Sequence, residues 1–256
     1  MQFRIHQDFK NLTQSLVSVI DNFKDQGKDF VVGNRNIIKE FDVEGNNLIV
    51  KSFRIPNIIN RPVYRFFRKS KARRSYEYAL RLLENGIGTP QPVAYFENRG
   101  LLSLKDSYYI SEHLRADLTF RELVKMPDFP DHENILRQFT QFCFLLHEKG
   151  IEFTDHSPGN TLIKKRSNDV YAFYLVDLNR MNFHEHMDFN LRMENLKKLT
   201  PKEEMVAVMS NEYAKHYTAK SESEIFTALW QKTVAFQEKF FRKKRIKKRL
   251  KFWKKG

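Results

Sequence analysis

The chain has 256 residues, 41% of them hydrophobic, which suffices for one large domain or two lobes with a sizeable core. Its net charge is +14, but 11 of those charges are the Lys and Arg residues of Lys239–Gly256, a stretch with no acid, so the remainder carries only +3. The single cysteine, Cys143, excludes an intrachain disulfide, and neither a signal-peptide segment nor a run near the ~20 apolar residues of a membrane span is present, so a reducing, cytoplasmic location is expected.

In chain order, Leu12, Leu16, Val19, Ile20 and Phe23 are spaced as on a helix packed against a body. Short β-like pieces follow: Phe30–Gly33, Asn36–Phe41 and, after the turn Glu44-Gly45-Asn46, Asn47–Phe53, as in an antiparallel meander. Alternation in the third piece puts Leu48 and Val50 on one face and Ile49 and Lys51 on the other. On its own Lys51 also reads as a solvent-facing residue of an edge strand. The loop at Gly33-Asn34-Arg35-Asn36 has one glycine, a weak cradle for a phosphate.

Residues 54–74 are basic, with Phe66 and Phe67 interleaved, which suits a solvated face or a contact with an anionic ligand. A helix is predicted from about Ala72 to Asn85, stopping at Gly86. Glu77 is central in it, whereas Glu84 sits in the last turn, where the helix dipole disfavours an acid. Strands are predicted near Thr89–Tyr95 and at Asp106–Leu114, the second closing a first lobe. A short helix at Thr119–Val124 opens a second lobe, and Ile135, Phe139, Phe142 and Leu146 then form a buried helical stripe ending at Gly150. Cys143 within this helix reads as packing. Near the end, Thr200-Pro201 reads as the N-cap and first residue of a helix, and Ser221–Glu238 as a further helix.

The residues that carry chemistry follow Gly150. Asp155 and Asn160 are five apart in Phe153-Thr-Asp-His-Ser-Pro-Gly-Asn160, and Asp177 ends an apolar run in Tyr174-Leu-Val-Asp-Leu-Asn-Arg180. This spacing fits a kinase-like phosphotransferase, in which one Asp orients the acceptor hydroxyl while an Asn and a second Asp hold Mg²⁺ against the nucleotide phosphates. Turn formation around Pro158-Gly159 also accounts for Asp155 and Asn160.

Three stretches together resemble the Kdo kinase / lipopolysaccharide core kinase family: Arg65–Ala79, Gly86-Ile-Gly-Thr-Pro-Gln-Pro-Val93, and the pair Asp155–Asn160 with Val176–Arg180. The resemblance implies an α+β, two-lobed protein-kinase-like fold, with an antiparallel-sheet N-lobe at residues 1–114, a mainly helical C-lobe at 115–238 and a basic tail at 239–256. It implies Asp155 as the catalytic residue, Asn160 and Asp177 as Mg²⁺ ligands, and Lys51 with Glu77 as the pair that anchors the ATP phosphates. Ile49 would cover adenine, and Glu112 to Leu114 would read it through the backbone. Arg180 is placed by its spacing near the acceptor, an acidic sugar. The partners implied are a glycolipid acceptor (a Kdo-bearing lipid A precursor or lipopolysaccharide core) and, through the tail, the anionic inner face of the cytoplasmic membrane. No nucleic-acid partner is expected, since stacking aromatics on a sheet are not evident.

The departures are specific. Phe153-Thr-Asp155 stands where protein kinases have H-R-D, so the histidine that braces the loop is missing there, and Asp177-Leu-Asn179 stands for D-F-G. No A-P-E segment follows. These differences point to a small-molecule or glycolipid kinase rather than a protein kinase. A kinase relative with another small acceptor and a membrane-associated pseudokinase remain as alternatives.

Overall fold

The computed structural model describes residues 1–32, 36–53, 69–100 and 104–253, and side chains through residue 247 apart from those of Val31 and Val32. The loop at 33–35 and most of the basic stretch, 54–68, lie outside the described residues. The chain forms mixed helix and antiparallel sheet, and it divides into two compact units. One comprises Met1–Arg115 with Tyr174–Arg180, and the other Ala116–Phe173 with Met181–Gly256.

The first unit is built on a six-stranded antiparallel sheet. Its strands are β1 (Gln2–Ile5), β2 (Lys28–Val32), β3 (Asn36–Val43), β4 (Asn46–Phe53), β5 (Pro92–Arg99) and β6 (Leu104–Glu112), in the order β1-β5-β6-β4-β3-β2. The N-terminal helical region is shorter than its apolar spacing suggests: a 3₁₀ turn at Gln7–Leu12 precedes α1 (Thr13–Asp21). All five apolar positions are nevertheless buried against Phe41, Val43, Leu48 and Val50 on one sheet face. The opposite face packs α2 (Lys71–Glu84) through Phe53, Ala72, Tyr76 and Tyr95. Ser70 caps α2, accepting from the Arg73 amide, and Gly86 ends it at φ 70°, a left-handed value that only glycine adopts at little cost. Strand β4 therefore has a buried apolar side, Leu48 and Val50, and turns Ile49 and Lys51 the other way.

The second unit is mainly helical. Its helices are α3 (Phe120–Lys125), α4 (His132–Glu148), α5 (Phe189–Leu196), α6 (Glu203–His216) and α7 (Glu222–Trp253). Two small sheets complete it: β10 (Val170–Leu175) with β9 (Thr161–Ser167) and β7 (Leu118–Thr119), and β8 (Ile151–Phe153) with β11 (Met181–Phe183). Ile135, Phe139 and Leu146 of α4 are fully buried; Ile135 and Phe139 join α6 and α7 residues in one apolar core. Burial also holds the Cys143 thiol well above its ordinary pKa, as expected of a packing residue. One helix start and one helix end differ from expectation. The α6 helix begins at Glu203 rather than at Pro201, with the Thr200 hydroxyl accepting from the Lys202 amide. The α7 helix does not stop at Glu238 but continues to Trp253, so the basic stretch is an extension of a helix that packs on α5 and α6.

Candidate active site

Lys51 extends from the β4 face opposite Leu48 and Val50, and its Nζ lies 2.7 Å from Asp177 Oδ1. Asp177 is delivered by the end of β10. That segment is tied down by the Leu175 amide donating to Gly88 O and by the Thr89 hydroxyl donating to Leu175 O, each at 2.8 Å. Asp177 adopts φ 62°, a left-handed value uncommon outside glycine that Asp reaches more readily than most residues and that Glu44, Asp131 and Asp169 share. Asn179, in the place of the D-F-G glycine, donates its Nδ2 to Asp177 Oδ1 at 2.6 Å. Both contacts fall on Oδ1.

Glu77 does not orient Lys51. Its carboxylate receives Lys69 Nζ at 2.6 Å and Arg73 Nε at 2.8 Å. The local reason is the basic register of α2, where Arg73 sits one turn before Glu77 and outcompetes a cation on a neighbouring strand. Asp177 holds Lys51 instead. A second ammonium, overlooked in the sequence, is Lys71 at the start of α2. Lys51 Nζ and Lys71 Nζ lie 5.4 and 5.9 Å from the centroid of the same Phe53 ring. Burial lowers the Lys71 pKa, as do the nearby Arg180, Arg74 and Lys51, with Asp177 opposing them. Lys71 thus has Lys51, Arg74 and Arg180 as cationic neighbours, with Asp177 the one acid among them, a field suited to a polyanion. Arg180 is exposed and belongs to this group.

Glu112 and Leu114 lie at and just beyond the end of β6. The Glu112 amide donates to Gln91 O and the His113 amide to Asn47 O, and the Glu112 side chain is exposed. Ile49, in register with Ser111, is half-buried on the Lys51 face.

In the second unit, Gly150 joins α4 to β8 at φ 64°, and a Cβ there would come within 1.9 Å of His184 O. Only glycine permits this close approach, which lets the His184 amide donate to Gly150 O and starts the β8–β11 pairing. Beyond β8 the loop is pinned by its carbonyls. Phe153 O accepts from Asn195 Nδ2 at 2.9 Å, Thr154 O from Lys198 Nζ at 2.7 Å, and Asp155 O from Asn160 Nδ2 at 2.9 Å. With its nitrogen so committed, the Asn160 oxygen is the atom of that side chain a hard cation would take. Asp155 itself is half-buried.

A brace for this loop does exist, although Phe153 stands at the H-R-D histidine position. His156, the next residue, is fully buried against Phe139 and Phe153, and its Nδ1 lies 3.4 Å from Asn195 Oδ1. His147 of α4 reaches the same oxygen from the other side at 3.3 Å. Burial lowers the pKa of His156 to about 4 and that of His147 to about 3, so both rings are neutral. The sequence signal for His156 was its adjacency to Asp155; Asn195 carried none.

Among the described residues no cluster of three or more His, Cys, Asp or Glu side chains could hold a metal. Mg²⁺ does not require one, because it keeps several waters and binds through one or two protein oxygens plus substrate phosphates. The Asp177 carboxylate in the first unit and the Asn160 amide oxygen in the second are each, taken singly, a donor of that kind.

A profile of the lipopolysaccharide kinase (Kdo/WaaP) family matches residues 46–226. Among solved structures, "WaaP in complex with acyl carrier protein" is similar, at 17% identity and a TM-score of 0.64, covering 95% of this chain and 99% of that one. A search of curated protein sequences found no match. With Lys51 paired to Asp177, a carbonyl-pinned Asp155 loop, and a family match over well above half of its length, the chain belongs to the lipopolysaccharide kinase (Kdo/WaaP) family.

Proposed function

We propose that this protein transfers the γ-phosphoryl group of ATP to a hydroxyl of a Kdo sugar on a lipid A precursor or the lipopolysaccharide inner core. The observation that carries this reading is the 2.7 Å Lys51–Asp177 pair, with Asp177 in its left-handed conformation. In the proposed step the acceptor hydroxyl gives its proton to Asp155 while its oxygen bonds the γ-phosphorus; the bond from that phosphorus to the bridging oxygen breaks, and ADP leaves. Lys51, Lys71 and Arg74 offset the charge of the nucleotide phosphates. Ile49 covers the adenine, and the backbone of Glu112 to Leu114 reads its edge. Asp177 and Asn160 would be the residues to hold Mg²⁺, which would supply neutralisation of phosphate charge. Arg180 receives the carboxylate of the acidic sugar as a bidentate partner.

The acceptor is lipid-borne, and α7 supplies a means of reaching it. Its extension presents Phe240, Phe241 and Ile246 half or more exposed among basic residues, and the helix carries Leu250 and Trp253 at the next turns after Ile246. No helix among the described residues is long and apolar enough to cross a membrane. We assign this extension to peripheral binding at the anionic inner face of the cytoplasmic membrane, where each Lys or Arg contributes about 1 kcal/mol.

The deciding experiment incubates the protein with labelled ATP and lipid A precursor, with and without attached Kdo, and identifies the product. Label on the Kdo-bearing acceptor alone is expected. Label on the Kdo-free lipid, or on neither, refutes the reading.

A further inference from the structure

Asn195 occupies the next-to-last position of α5 and is nearly fully buried. Phe153 O can only accept, so the Asn195 bond to it fixes the side-chain amide with nitrogen toward the loop and oxygen toward the two histidine rings. Both rings must therefore donate to that oxygen. His156 carries its proton on Nδ1 and His147 on Nε2. His147 Nδ1 is then a bare lone pair, matched by the Tyr213 hydroxyl at 2.8 Å. Every direction in the chain Tyr213, His147, Asn195, Phe153 is set by its neighbours, and no link is reversible while both rings stay neutral. The Phe153 carbonyl it ends on also receives the His156 amide, so it anchors the two residues on either side of Thr154–Asp155.

We infer that Asn195, oriented by His147 and His156, is a positioning residue that sets the backbone from which Asp155 meets the acceptor hydroxyl. This rests on the reading of Asp155 as the group that takes the acceptor proton. A misplacement of about 1 Å in such a group costs on the order of a hundredfold in rate, so a fixed carbonyl two residues away has kinetic weight.

The sharpest perturbation is Asn195→Asp. It keeps shape and size but replaces the donor to Phe153 O with a second acceptor, and it draws protons onto both rings. Turnover of ATP with the Kdo-bearing lipid A precursor in detergent is measured for wild type, Asn195→Asp, Asp155→Asn and the double variant, together with amide hydrogen exchange of residues 153–157. The expected result is faster exchange of the His156 and Ser157 amides, kcat lowered about tenfold or more with KM for ATP little changed, and almost no further loss when Asn195→Asp is added to Asp155→Asn. Unchanged exchange, unchanged kcat, or an equal loss in both backgrounds overturns the inference, the last because Asn195 would then be a general structural residue. Full activity of Asp155→Asn overturns it by a separate route, through the reading beneath it. Should Asn195→Asp not fold, His156→Asn, which keeps a donor near the Nδ1 position, is compared with His156→Leu, which does not. The inference then requires kcat to survive in the first and fall in the second, and equal kcat values overturn it.

Discussion

Acidification should begin to destabilise the second unit before its carboxylates protonate. His147 and His156 have folded pKa values of about 3 and about 4, lowered chiefly by burial, against an ordinary value near 6.5. Below pH ~6.5 the unfolded chain binds a proton at each ring that the folded chain refuses. Stability is therefore constant above that pH and falls as pH decreases, until each folded pKa is reached. Each histidine costs up to ~1.4 kcal/mol per pH unit, so at pH 5 the pair costs about 4 kcal/mol, a large share of a typical domain stability of ~5–15 kcal/mol. Glu212 marks the next window. Burial pushes its carboxyl up, but bonds from Lys215, Gln141 and Arg137 more than offset this and hold its pKa at about 2. Its contribution is lost only as pH falls from ~4.5 toward that value. Denaturant unfolding at pH 7.5, 6.5, 5.5 and 5.0, on wild type and His147→Gln, tests the argument. The variant should be less stable at pH 7.5 yet lose stability about half as steeply below 6.5. A flat wild-type profile between pH 7.5 and 5, or an unchanged slope in His147→Gln, refutes it.

Other consequences concern ligands. Asp177→Ala and Asn160→Ala should each raise the Mg²⁺ concentration needed for nucleotide binding, because each removes a hard oxygen donor; Mg²⁺ titrations unchanged from wild type in both variants would count against the metal assignment. Lys71→Gln should weaken ATP binding about tenfold while leaving the acceptor KM alone, and Arg180→Lys should raise the acceptor KM alone; fluorescent-nucleotide titration and acceptor saturation curves separate the two. Deleting residues 239–256 should abolish salt-sensitive sedimentation with anionic vesicles and spare activity on detergent-solubilised acceptor. Retained sedimentation would move the membrane contact elsewhere.

The sequence by itself determined the parts whose physics is local. Period-two alternation settled which way Lys51 points, because one face of β4 must bury Leu48 and Val50. The helical period of Ile135, Phe139, Phe142 and Leu146 marked α4, although Phe142 is only partly buried, and Gly86 marked the stop of α2. The five-residue spacing of Asp155 and Asn160 corresponds to a side-chain bond to the Asp155 carbonyl within one short turn. Tertiary structure decided the pairings. Lys51 sits on a strand and could meet any acid the fold brought near; Glu77 was taken by the adjacent Arg73 and by Lys69, and Asp177, 126 positions away, took Lys51. Lys71 joined the phosphate-suited cations only because α2 begins beside Phe53. The brace of the Asp155 loop likewise drew on His147, His156 and Asn195 from three separate segments. A buried polar group must find a partner, but the partner can lie anywhere in the chain, so periodicity and spacing carry no trace of it.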